Sequence, residues 1–533
     1  MRVILMSLAF CLAATPGFSQ SKKFSFTVGE EYEVPKGAED VGFYGSEQTG
    51  LVNLFVTKKK KLLIRRFNPK NVAAMGEAEI EKQEMTKNYT SEGVIQLGNR
   101  YFWLHSDWDK SNETEKLFYD EIDVTKGTII KEDQLLVSTT RLAGEYVSTG
   151  WYRAKVVGKY EYNLSADKSK LLISYRHTPK EKNDKKSFDN IGYAMFDQNM
   201  NKIWSGDFDM PYTEQIMDNL DYSVDKNGNA YLLAKVYDNE KRKEVDKETG
   251  LPGYHFEALK FSGEQKMTQT KISLDQYFIR QASIIENSNG DMVVACTYSK
   301  SRKSRGTDGV YLAMISSEGK LTTYRDGFYE FPLEELEKFE SKRARKKMEK
   351  SDDYEAPFVL VRNILSAPDG SLFIACEQYH MEQVTTYSRY GSRTDYYYYF
   401  EDIIATRINA NGKVDWVRKI PKMQKGVNRY ATLGFKLVAD ETGYYFLYLD
   451  NKKNLELEED EAPKYHQDGY GGQVSLARLD PSGNLTREII FDAREEKLML
   501  YPRRFSSFDQ TRLVGRADIK GPGAFAPILI TIK

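Results

Sequence analysis

A strand–turn–strand unit recurs along nearly the whole chain, and it limits the fold more than any other feature. Residues 225–229 (Asp-Lys-Asn-Gly-Asn) precede an apolar run at 230–237, 287–291 (Asn-Ser-Asn-Gly-Asp) precede 292–298, 368–371 (Pro-Asp-Gly-Ser) precede 372–379, and 440–443 (Asp-Glu-Thr-Gly) precede 444–449. Asn, Asp and Gly tolerate the positive φ of a tight hairpin, and the flanking apolar runs read as its strands. A second hairpin completes each unit: 404–408 turns at 409–412 into 413–420, and 475–479 turns at 480–483 into 484–491. Shorter turns at 316–319 and 262–263 follow 311–315 and 256–261, and more divergent copies lie near 196–201, 123–127 and 68–71. With 36 Tyr and 27 Phe the composition also favours strands, so an all-β chain is expected.

Repeating units fall at 41–80, 92–137, 160–210, 218–275, 280–328, 358–420, 430–491 and 502–533. The last holds only three strands, at 502–508, 512–518 and 526–532, and residues 23–34 are expected to supply the fourth, which would hide two sheet edges. Through turns such as Asp-Pro-Ser-Gly-Asn at 480–484 and Ala-Pro-Asp-Gly-Ser at 367–371, the chain resembles β-propeller repeat proteins as an architectural group. The resemblance implies a single β-propeller of four-stranded blades over 20–533, seven or eight in number with eight the fuller count. Two packed β-domains are the structural alternative. Neither a Trp-Asp repeat signature nor a sialidase box is present, so no catalytic residue carries over.

The first residues read as a secretory signal peptide over 1–19. Arg2 precedes an apolar stretch at 3–14, broken by Ser7 and too short to span a bilayer. Gly17 and Ser19 have the size and spacing for cleavage after Ser19, which leaves Gln20 as the new N-terminus. Bulky Phe10 before Cys11 argues against a lipoprotein. An ordinary buried first strand is the alternative. Export to the periplasm or beyond the cell is expected, and no later stretch approaches the roughly 18 apolar residues of a transmembrane helix. With 77 basic against 78 acidic residues, nucleic acid is not an expected partner.

Beyond that leader, Cys296 and Cys376 lie in near-identical runs, Val-Val-Ala-Cys and Phe-Ile-Ala-Cys. Equivalent positions of neighbouring blades are too far apart for a bridge, which needs Cα atoms within about 7 Å. Two buried free thiols are therefore expected, with a disulfide as the alternative in an oxidising compartment.

One segment breaks the pattern. Residues 332–350 read as a surface helix, with Pro332 in its first turn, Glu334, Glu335 and Glu337 near its start and lysines near its end. Leu333, Leu336, Phe339, Ala344 and Met348 give it a narrow apolar stripe, which suits a strut or lid, or a partner-binding helix.

Chemistry-bearing motifs are scarce. The five histidines (His105, His177, His255, His380, His466) show no metal-ligand spacing, and nucleophile-elbow and phosphate-loop motifs are missing. No metal or cofactor is therefore expected, although a carboxylate pair stays open. The sequons at Asn88, Asn112, Asn163 and Asn484 matter only in a eukaryotic source. Three clusters stand out: Lys58 to Lys61, a charged hairpin tip or anionic-surface contact; Glu456, Glu458, Glu459, Asp460 and Glu461, a solvated loop or Ca²⁺ holder; and Tyr387, Tyr390, Tyr396, Tyr397, Tyr398, Tyr399 and Phe400, a recognition surface or a self-packed hairpin.

Propeller topology sorts these features. Turns 226–229, 287–291, 368–371, 409–412 and 480–483 are short, whereas the opposite set, 178–188, 238–254, 299–309, 380–400, 450–472 and the helical insertion, holds the long connections. Long loops on a rigid scaffold are where binding residues concentrate. Arg280, Arg362, Arg429 and Arg503 precede innermost strands on that long-loop face and could ring the channel mouth without acidic partners, drawing an anionic group, unless each pairs with a neighbouring carboxylate. An exported, non-catalytic binding or scaffold protein for a protein, glycan or anionic ligand is the expected function. The alternative is a propeller enzyme, a glycan or peptide hydrolase or lyase, with acids at the channel mouth.

Overall fold

The computed structural model describes residues 23–82, 86, 88–150, 153–179, 186–263, 266–272, 274, 276–301, 306–351, 354–389, 391–519 and 524–533. The signal peptide and Tyr390 lie outside these residues.

Among the described residues, eight antiparallel sheets built on four strands follow one another along the chain, and in the first seven those strands lie side by side in sequence order. The first comprises Glu39–Ser46, Gly50–Val56, Leu62–Phe67 and Ala74–Ile80, and the fifth Phe278–Glu286, Met292–Ser299, Gly309–Ile315 and Leu321–Glu330. In the eighth, Arg512–Ile519 and Ala524–Ile532 are completed by Phe24–Val28, which pairs antiparallel with the last strand from Phe24↔Ile532 to Val28↔Ile528. The two ends of the chain therefore close one sheet together.

Burial explains the apolar runs. Every residue of Gly50–Val56 and of Met292–Ser299 is buried, whereas the outer strand Ala74–Ile80 is mostly exposed. A middle strand sandwiched between neighbouring sheets on both faces needs apolar residues at successive positions, so strict alternation is lost there. Eight buried apolar clusters fill the spaces between consecutive sheets. One of them joins Phe43, Leu51 and Phe55 of the first sheet to Val514 and Leu529 of the last, so the array returns on itself as a β-propeller. On the short-turn side, the Glu286 carboxylate accepts the backbone N–H groups of Ala166 at 3.1 Å and Lys226 at 2.7 Å, locking the turns of the third, fourth and fifth sheets together.

The insertion differs from the single helix expected. It forms two short helices, Leu333–Leu336 and Lys342–Glu349, broken at Phe339, which has φ +60° and is buried. The Phe339 N–H donates to Glu459 O at 2.6 Å, and Ser341 caps the second helix by accepting from the Ala344 N–H. The Phe339 N–H thus bonds a carbonyl of the neighbouring loop, and the Arg487 guanidinium lies 5.5 Å from the Phe339 ring centre. That loop is the acidic segment: Lys338 and Lys342 reach Glu459 and Asp460 at 3.9 and 3.7 Å.

Both cysteines are free and buried. Cys296 lies in the cluster between the fourth and fifth sheets, and Cys376 in the one between the fifth and sixth.

Candidate ligand-binding face

The sixth sheet carries the largest excursion. Leu372–Ser388 and Gly391–Ile408 start as ordinary blade strands and continue past a bulge at Gln378 as a long hairpin. Strand Gln424–Val427 pairs antiparallel with Tyr397 to Phe400 and parallel with His466–Gln467. The 380–400 and 450–472 loops are thus joined by backbone hydrogen bonds and emerge on the same side, as the topology required. The rings of Tyr399 and Tyr465 lie 6.2 Å apart across this seam.

Strand alternation divides the tyrosines. Tyr379, Met381 and Tyr387 share a face with Phe400, Tyr398 and Tyr396 across the pairing. Tyr387 stands 82% exposed at the tip, with Met381, Tyr396 and Tyr430 partly open along the same strip. Tyr397 and Tyr399 occupy the other face, where the Lys425 ammonium sits 4.7 and 5.0 Å from their ring centres. Consecutive tyrosines therefore serve two different surfaces.

The four arginines do not form a ring of acid-free cations. Arg280 and Arg362 lie inside their innermost strands, where β-bulges between Ile279 and Gln281 and between Val361 and Asn363 leave them out of register. A bulge re-aims a side chain at a sheet edge, so the residues do not merely precede the strands. Arg362 Nε donates to Glu377 Oε2 at 2.8 Å, and Arg429 Nε lies 3.3 Å from Asp468 Oδ2. Arg280 and Arg503 donate to the carbonyls of Ser301 and Tyr430, each at 3.1 Å. Among the described residues, Arg362 and Arg429 are therefore neutralised by carboxylates, because the bulge and the loop place acids beside them.

Arg362 and Arg503 nevertheless converge. Their guanidinium carbons lie 5.8 and 5.2 Å from the centre of Phe400, and Arg503 also covers Tyr430 at 5.3 Å. Tyr430 packs on Tyr398 at 4.5 Å. Gly434, at φ +86°, makes room: a Cβ there would meet Arg503 Cδ at 2.7 Å. Behind the pair, Glu377 and Lys422 are fully buried, with Lys422 Nζ 2.8 Å from Glu377 Oε1. Burial holds the Arg503 guanidinium below its usual pKa, and the Arg362 charge adds to the effect while Glu377 opposes it.

A second concavity of about 440 Å³ is lined by Lys159, Glu161, Ser174, Tyr175, Arg176 and Tyr222, among others. Burial, helped by the charge of Asp221, raises the Glu161 carboxyl above its ordinary pKa. Ser174 Oγ is buried there without a hydrogen-bond partner.

His105, Asp120 and Asp133 bring ligand atoms within 4.8 Å of one another. Sequence spacing hid this group because its members come from three adjacent strands. The buried Lys82 ammonium stands among them, 3.2 Å from His105 Nε2, 2.9 Å from Asp120 Oδ2 and 2.5 Å from Asp133 Oδ1. It supplies the positive charge that a metal ion would bring.

No family model matches the chain, and no curated protein matches it. Among solved structures, the WD40 domain of SCAP from fission yeast is similar over 97% of this chain and 97% of its own, at 8% identity and TM-score 0.39. The β-propeller domain of the Trilobed protease from Pyrococcus furiosus is similar over 86% of this chain and 98% of its own, at 10% identity and TM-score 0.34. Quinohemoprotein alcohol dehydrogenase ADHIIG from Pseudomonas putida HK5 covers 95% of this chain with 76% of its own, at 10% identity and TM-score 0.38. These neighbours are β-propeller proteins, and none of the likenesses bears on what the chain binds.

Proposed function

We propose that this chain is an exported, non-catalytic binding protein that holds its ligand on the long-loop face of the propeller. The observation that carries the reading is the hairpin of Leu372–Ser388 and Gly391–Ile408, braced by Gln424–Val427 and His466–Gln467 and presenting an open aromatic strip beside Arg362 and Arg503. A strip held by two neighbouring loops is preorganised, which limits the entropy lost on binding. Export rests on the leader at 1–19.

A second reading, a glycan- or peptide-cleaving enzyme, is favoured by Glu161 alone: a carboxyl with a raised pKa in a concavity suits a general acid. Affinity electrophoresis in gels cast with acidic and neutral polysaccharides, run beside an assay for released reducing ends, separates the two. Retardation without release is expected. Release that vanishes in Glu161→Gln would establish the enzyme instead.

A further inference from the structure

Arg503 is exposed and lies over two aromatic rings, and among the described residues its hydrogen bond goes to a neutral carbonyl. No carboxylate pairs with it among the described residues. Arg362 spends its Nε on Glu377, and among the described residues its two terminal nitrogens have no acceptor. Glu377 is shared by Arg362 and Lys422, and its charge also reaches Arg503. Exposed guanidinium groups that carboxylates do not fully match leave a local positive field that attracts an anion.

The surroundings narrow the choice of anion. Guanidinium groups gathered around one ring, that of Phe400, offer planar donors that match the oxygens of a carboxylate. The rings of Tyr398 and Tyr430 beside them suit the C–H face of a sugar ring, which is apolar on one side and polar at its rim. An extended peptide would need a free strand edge, and here the edge from Tyr397 to Phe400 is already paired with Gln424–Val427.

We propose that Arg362, Arg503, Tyr398 and Tyr430 form an anchoring subsite for a carboxylate-bearing sugar, so that the ligand of this face is an acidic saccharide. This deepens the binding reading above and rests on it. The arginines take the carboxylate, the rings take the sugar face, and the strip toward Tyr387 receives the units that follow.

Isothermal titration of the full mature chain tests the proposal, with an oligogalacturonate, its methyl ester and a neutral oligosaccharide of equal length as probes. The acid form should bind, the ester and the neutral chain at least tenfold more weakly, and added salt should weaken the acid form most. Arg503→Gln should cost at least tenfold in affinity for the acid form and leave the melting temperature nearly unchanged, since Arg503 is exposed and forms no ion pair among the described residues. Arg280→Gln should bind as the parent does. No binding of the acid form, or equal binding of acid and ester, or an Arg503→Gln variant that binds as the parent, overturns the subsite. If neutral saccharides still bind in those cases, the binding reading survives without it. Cleavage of any probe overturns the binding reading itself.

Discussion

Lys422 Nζ faces Glu377 Oε1 at 2.8 Å, and neither side chain reaches solvent. The pair lies beneath the aromatic hairpin, with Arg362 on the second carboxylate oxygen. Lys422 also anchors through its backbone, whose N–H donates to Asp402 at 3.0 Å. Glu377→Gln leaves a buried ammonium without the carboxylate it faces and should cost about 3 kcal/mol, since Asp402 still acts on it. Changing Lys422→Met in the same chain should recover part of that loss. Guanidinium denaturation of the single and double variants reads both numbers.

Two buried groups near this pair pull stability in opposite directions with pH. His466 is pushed down from 6.5 to about 4, chiefly by burial, with Lys422 adding to the shift and Asp468 opposing it. It is neutral in the native state, so the unfolded chain takes up its proton first. Its contribution is complete above pH 6.5 and is lost as the pH falls toward 4. Asp450 is pushed up from 3.8 to about 6 by burial, against its hydrogen bonds to Asn454 and Asn451. The native state holds that proton more tightly, so this contribution is complete below pH 3.8 and is lost as the pH rises through 6. Each term amounts to about 3 kcal/mol, and between pH 4 and 6 they largely cancel. Relative to the parent, Asp450→Asn should gain stability by about that amount from pH 4 to 6, and His466→Gln should lose it. Urea midpoints across the range measure both slopes.

Closure of the eighth sheet depends on a strand far from it in sequence. Phe24 is 3% exposed among Leu498, Leu513 and Ile530, and Phe26 stacks on Phe491 at 4.1 Å. Phe24→Ala should cost about 3–5 kcal/mol. Removing everything before Glu30 should expose the Ala524–Ile532 edge and bring aggregation or a large drop in melting temperature. An unchanged melting curve would detach the strand from the ring.

The thiols should behave as buried ones. Burial pushes Cys376 up to about 12, with the Arg362 charge opposing, and raises Cys296 further. Native protein should hardly react with a thiol reagent, whereas a denatured, unreduced sample should take up two equivalents.

Local chemistry by itself determined the strands, the tight turns and the repeat. Turns such as 287–291 and 480–483 and the apolar runs beside them depend on nearest neighbours, so they are legible residue by residue, and the pairing of the long connections on one face follows from strand order alone. The break at Phe339 was not legible, because its cause is a carbonyl of Glu459 more than a hundred residues away. Nor was the fate of the arginines. A β-bulge changes which residue leaves the ladder, and the acids opposite Arg362 and Arg429 come from other strands and loops. The Lys82–His105–Asp120–Asp133 group was hidden for the same reason. Short-range hydrogen bonding and apolar patterning specify elements, whereas charge pairing and burial depend on distances through space, which only the closed ring of sheets decides.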